Sequence, residues 1–225
     1  MTRPHVAAAI LVALGIAASG CGRNADAGEI AVLRVVTGNS DDSHGEYHFE
    51  VPTNVPAGAT RLELVNDGAE PHHAQLFEFA DGATISDLTR ALGTGDPAAA
   101  LEFGSFLGGT ALVSPGTRSQ ADAVVELEPR RYALICLVPD PDGTPHLAHG
   151  MLRPFDVVEH DDPASPPDAD LDVRLIDYAF EMPETIDGDA TLAITNASRD
   201  EPHEMVFLRA DDDTAPAAVA AAVHA

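Results

Sequence analysis

The sequence predicts an all-β fold, and three observations carry the prediction. Seventeen Pro and eighteen Gly are spread over 225 residues of ordinary apolar content, 45%, so apolar runs are short and end at turn formers. Alternation appears where strands are expected. Arg61-Leu62-Glu63-Leu64-Val65 is followed by the turn signal Asn66-Asp67-Gly68, then by Ala74-Gln75-Leu76-Phe77-Glu78-Phe79. Finally, residues 47–79 recur as residues 178–209. Tyr47 matches Tyr178, Phe49 matches Phe180, Pro52 matches Pro183, Gly58 matches Gly188, Asn66 matches Asn196, and Glu70-Pro71-His72 matches Glu201-Pro202-His203. Each copy reads as strand, turn, strand, turn, strand.

The elements follow in order. Residues 1–21 read as a leader outside the fold: Arg3, then an apolar stretch from Val6 to Ala18, too short to span a bilayer. The stretch ends in Ala18-Ser19-Gly20-Cys21, which resembles a bacterial lipobox although Ala18 stands where Leu is commoner. The resemblance implies lipidation of Cys21, a membrane anchor, and a place on the outer side of a bacterial cell membrane. The alternative is plain secretion. Residues 22–29 then form a polar tether, and a first domain spans 30–160.

After the first copy, Ile85 to Leu92 has helical spacing at Ile85, Leu88 and Leu92, with Thr84 or Ser86 as cap. A second short helix starts near Pro97. Ser119 to Leu127 alternates as a strand, followed by Tyr132-Ala133-Leu134-Ile135 and then Cys136. Residues 161–170 are an acidic, Pro-rich linker. Residues 171–225 hold the second copy, with a possible helix from Ala217 to Val223 but no counterpart of the Cys136 strand.

With Cys21 lipidated, Cys136 is the only thiol of the mature chain, so it has no intramolecular disulfide partner. Outside the cytoplasm that favours a buried or metal-bound thiol. It opens a loop, Cys136-x9-His146-x4-Met151, that also holds His149. A thiolate, an imidazole and a thioether, joined by a second imidazole, form the donor set of a blue-copper centre. The formal net charge of −25 speaks against nucleic acid and for a basic partner surface. The acidic run Asp211-Asp212-Asp213, and Asp41-Asp42 with His44, read as solvated surface.

A strand ending in Pro-His, followed far downstream by Cys-loop-His-x4-Met, resembles the cupredoxins. The long Cys-to-His gap is closer to the type 1 loop of copper nitrite reductases than to the shorter loops of plastocyanin or azurin. The resemblance covers residues 30–160 fully and 171–225 as a partial second copy. It implies a Greek-key β-sandwich with short helices in one connection, copper as cofactor, and His72, Cys136, His146 and Met151 as ligands. His146 is preferred to His149 for its four-residue gap to Met151. His72 is preferred to His73 because the repeat keeps His203 there, while His73 becomes Glu204. In a strand the two neighbours face opposite ways. Leu137, Leu147 and Leu152 are expected to keep water off the metal, and Pro139, Pro141 and Pro145 to stiffen the loop.

Three functions compete. The first is a membrane-tethered electron carrier that docks a redox partner near His146. The second is a cell-envelope binding, structural or copper-storage module. His203, kept with no copper loop behind it, favours this one. The third, an oxidase or reductase, lacks its residues: Cys136 is flanked by Ile135 and Leu137, and no His-x-His occurs. No hydrolase motif occurs either, so the chain is read as a non-enzyme.

Overall fold

The computed structural model describes residues 9–13, 29–38, 45–120, 122–198 and 200–207. The strands are β1 (Ala9–Ala13), β2 (Ala31–Thr37), β3 (Phe49–Glu50), β4 (Asn54–Pro56), β5 (Gly58–Asn66), β6 (Gln75–Phe79), β7 (Gly104–Gly109), β8 (Thr117–Arg118), β9 (Asp122–Leu127), β10 (Arg131–Ile135), β11 (Leu152–Val158), β12 (Leu171–Ile176), β13 (Ala179–Glu181) and β14 (Thr191–Asn196). Helix α1 (Ile85–Leu92) and a 3-10 turn at Pro97–Glu102 lie between β6 and β7. The first sheet runs β13-β12-β14-β1-β9-β5-β2-β3, with β8 on β5, and the second runs β4-β11-β10-β6-β7. The chain crosses between the sheets repeatedly, as β4 to β5, β5 to β6 and β9 to β10, which gives the sandwich its interlocked connections.

Alternation explains the first sheet. In β5, Leu62 and Leu64 are buried against the second sheet while Arg61 and Glu63 look outward. In β2, Leu33 and Val35 are buried and Val32 and Arg34 are not. The strands β6 and β10 differ, because both of their faces are covered. Tyr132 and Leu134 join Leu76 in the core between the sheets. Ala133 and Ile135 join Phe77 and Phe79 in a second cluster under Leu88, Ala91 and Leu92 of α1. A strand covered on both sides reads as an unbroken apolar run, as Tyr132 to Ile135 does. Thr84 caps α1 in a full capping box with Asp87, and the 3-10 turn starts at Pro97 under an Asp96 cap. Leu64→Ala, at a site of no solvent exposure, is expected to cost about 3 kcal/mol in urea unfolding. A loss under ~1 kcal/mol would place it outside the core.

The second copy repeats the edge of the first. β12 pairs parallel to β14 and antiparallel to β13, as β2 pairs parallel to β5 and antiparallel to β3. The expected third strand is not formed: residues 201–207 carry no strand pairing. In the first copy that strand, β6, is held between β10 and β7, and among the described residues the second copy has neither. Tyr178 and Phe180 are correspondingly exposed, whereas Phe49 is buried.

One further segment differs from expectation, and the linker is partly docked. The leader was expected outside the fold, yet Ala9–Ala13 forms β1, antiparallel to both β14 and β9. It takes on β14 the position that β9 takes on β5, an edge the second copy does not fill from its own described residues. The linker is not free along its length. Ala59 donates its N–H to the carbonyl of Ala164 at 2.8 Å, and Ala164 packs with Ala59, Val124 and Ile30 on the outer face of the first sheet. The lipobox, residues 22–28, the segment 217–223 and the acidic runs at 41–42 and 211–213 lie outside the described residues. No described helix is long and apolar enough to cross a membrane.

Candidate metal centre

The site is built from strand parity. Tyr132, Leu134 and Cys136 alternate inward from β10, so the Cys136 side chain is wholly buried in the core between the sheets. His72 enters the same space just before β6. A bridge to Val113 fixes its backbone, with His72 N to Val113 O at 3.1 Å and Val113 N to His72 O at 2.7 Å. His73, one residue on, faces the other way: its Nε2 accepts from the Leu137 N–H at 2.8 Å.

The loop returns the remaining donors by backbone hydrogen bonds. Asp140 accepts from the N–H groups of Asp142 and Thr144 at 2.9 and 2.8 Å, closing a turn over Gly143. Pro139 and Pro145 then form a bridge, and a 3-10 turn carries His146–His149. His146 N donates to Val138 O at 2.8 Å, Leu147 N to Cys136 O at 2.9 Å, and Met151 N to His146 O at 3.1 Å. Gly150 closes the turn at φ 100°, a left-handed conformation that a side chain would strain. Met151 is wholly buried in the same cluster as Cys136, and its carbonyl accepts from Cys136 N at 3.2 Å.

The donor atoms converge. His146 Nδ1 lies 3.5 Å and His72 Nδ1 4.0 Å from Cys136 Sγ, and the two Nδ1 atoms are 3.0 Å apart. Both rings are wholly buried. Their outer nitrogens meet carboxylates: His72 Nε2 reaches Glu46 Oε1 and His146 Nε2 reaches Glu70 Oε2, each at 3.0 Å. A carboxylate only accepts, so each Nε2 is assigned a proton and the Nδ1 atoms are the nitrogens turned towards the thiol. Two ring nitrogens thus face each other beside a thiol. His72, Cys136 and His146, with Met151 buried in the same cluster, offer donor types that would suit a type 1 copper ion.

Burial dominates the electrostatics of the site. Burial pushes the Cys136 thiol up to about 11, so the thiol is protonated near neutral pH and a bound metal would displace that proton. Burial pushes His72 down, against a smaller opposing pull from Glu46. For Glu46, burial pushes up, but hydrogen bonds from the Ala69 and Glu70 amides and from His72 prevail and hold it below its usual range.

His149 stands apart. Its Nε2 is 2.7 Å from Asp140 Oδ2, and its ring stacks on Tyr47 at 4.5 Å. Leu137, Leu147 and Leu152 do not line the thiol; they pack in the cluster under α1, Leu137 and Leu152 by strand parity and Leu147 from the 3-10 turn. Val113, Val138 and Tyr47 belong with the thiol's cluster instead.

Sequence reasoning missed Glu46, Tyr47 and Glu70 as parts of the site. Tyr47 Oη donates to Glu70 Oε1 at 3.1 Å, and its ring lies 4.8 Å from that of His146. The repeat held a signal for them, since Glu46-Tyr47 aligns with Asp177-Tyr178 and Glu70 with Glu201. In the second copy Asp177, Glu201 and His203 lie together, with His203 Nε2 3.4 Å from Asp177 Oδ1. That cluster is partly exposed and has no thiol.

Two facing sheets, with a buried Cys at the end of an inner strand and a His-to-Met loop returning beside it, define a cupredoxin-like β-sandwich. Solved structures similar to this chain include auracyanin B, at 18% identity and a TM-score of 0.37 over 60% of this chain and 95% of that one. Another is rusticyanin from Thiobacillus ferrooxidans, at 15% identity and 0.36 over 58% and 79%. A purple cupredoxin from Nitrosopumilus maritimus matches at 16% and 0.32 over 56% and 99%. Identities and TM-scores this low leave the fold defined by the sheet order and the placement of the site. No family model and no curated protein matches the sequence.

Proposed function

We propose that the chain binds one type 1 copper through His72, Cys136, His146 and Met151 and serves as an electron carrier outside the cytoplasm. In this reading it is anchored to the bacterial membrane by lipid on Cys21. The observation that carries the proposal is the pair of buried Nδ1 atoms, 3.0 Å apart beside a buried thiol, with both outer nitrogens already committed to carboxylates. Copper held there supplies one-electron transfer by alternating between two oxidation states.

The protein's part is positioning. The backbone bonds of the His146 turn and the Val113 bridge hold the donors in one arrangement, so little rearranges between states. Core packing around Cys136 excludes water and tunes the potential. Tyr47, Glu70 and His149 form the surface beside His146. A redox partner with a basic face fits that edge, with salt-dependent association.

The test is copper(II) added to the chain from residue 22 onward. The intense visible thiolate-to-copper band is expected at one copper per chain, and Cys136→Ser removes it. A colourless protein that takes up no stoichiometric copper sinks the carrier reading. One observation favours the second reading, an envelope binding or storage module: Asp177, Glu201 and His203 persist without a thiol. Copper bound with no reversible one-electron wave in voltammetry would establish it.

A further inference from the structure

We propose that Glu46 and Glu70 are positioning residues of the metal centre, one for each imidazole ligand, and that they bias the bound ion towards its higher oxidation state. The proposal rests on the copper reading above. Each carboxylate accepts from the Nε2–H of one ring at 3.0 Å, which commits both Nδ1 atoms to the ion and fixes both ring planes. An anionic acceptor on the far nitrogen also makes an imidazole a stronger donor.

The two carboxylates are themselves held. Glu46 Oε1 accepts from the N–H groups of Ala69 and Glu70, each at 2.9 Å, so the acid that orients His72 also ties down the turn that carries Glu70. The Tyr47 hydroxyl holds the second oxygen of Glu70. Asn66 completes the frame, donating to the carbonyls of Glu70 and Val113, both at 2.8 Å. The side chains of Glu46 and Glu70 are 22% and 27% exposed, so their charges are screened far less than free surface acids. Two negative charges one ring away from the ion favour the more positive oxidation state and lower the reduction potential.

The full chain tests this with Glu46→Gln, Glu70→Gln, and Glu126→Gln as control. Glutamine keeps one acceptor oxygen for the imidazole, removes the charge and turns the second oxygen into a donor amide. Glu126 is exposed on β9, opposite Ala59, and makes the same charge change away from the site. Copper(II) affinity is read by chelator competition and the potential by voltammetry. Each of the two site variants is expected to lose roughly 10–100-fold in copper(II) affinity and to raise the potential. A tenfold loss of preference for copper(II) over copper(I) corresponds to about 59 mV. Glu126→Gln is expected to match wild type.

Wild type that binds copper, with both site variants unchanged in affinity and potential, overturns the positioning proposal alone. Wild type that binds no copper overturns the copper reading and this proposal with it. Glu46 also supports a turn, so Glu70→Gln decides the matter if Glu46→Gln fails to fold.

Discussion

His146→Ala is expected to abolish the visible thiolate-to-copper band, whereas His149→Ala is expected to leave it in place. The two residues are three apart in one short turn, yet their surroundings differ. His146 is wholly buried with Nδ1 3.5 Å from the thiol sulfur. His149 is partly exposed, bonded to Asp140 and stacked on Tyr47. Removing a donor costs more than the roughly 10–100-fold in affinity that follows loss of an outer partner. Absorption and EPR spectra of the two copper-treated variants check this. A band that survives His146→Ala and disappears in His149→Ala would reverse the ligand assignment.

The metal-free protein is expected to lose stability as pH falls from about 6.5 to about 4, by roughly 3 kcal/mol from His73 alone. Burial pushes His73 down to about 4 from an ordinary value of 6.5, with smaller contributions from His146 and His72. Its Nε2 accepts from Leu137 N–H, so the folded chain needs the neutral ring. Between the two values the unfolded chain takes up a proton that the folded chain refuses. Stability therefore falls as pH falls through this window and is independent of His73 above it. His72, also pushed down by burial, adds to the loss with the same sign. Urea unfolding of the metal-free protein at pH 7, 5.5 and 4.5 measures the slope. His73→Gln, which keeps an acceptor for Leu137, is expected to flatten it; an unchanged slope assigns the loss elsewhere.

Much of the site was legible because its donors obey strand parity and loop spacing. Cys136 continues the alternation of Tyr132 and Leu134, and His72 and His73 must face opposite ways. The unbroken apolar run Tyr132 to Ile135 was read as a strand, but its double-sided burial depends on α1 packing from outside, which no local pattern states. That hidden second face also misplaced Leu137 and Leu152, and Leu147 of the 3-10 turn with them. Glu46 and Glu70 went unread because their partners lie 26 and 76 positions away, and a Glu on a polar turn looks the same whether it orients a ligand or faces water. The third strand of the second copy was over-read, since alternation reports a capacity for pairing and the neighbours decide whether it is met.

The docked Ala164 sets how far the second copy can travel. With Ala164 bound to β5 and Asp170 N already paired to Thr191 O, only residues 165–169 remain to act as a leash. At ~3.1 Å per residue for a Pro-rich segment they reach about 16 Å. A module on so short a leash meets its neighbour at an effective concentration on the order of millimolar. Contacts too weak to hold separate molecules together, such as that between Gln75 Nε2 and Glu204 Oε1 at 3.3 Å, are then occupied much of the time. The second copy is also tied to the first domain through β1, which pairs with both β14 and β9.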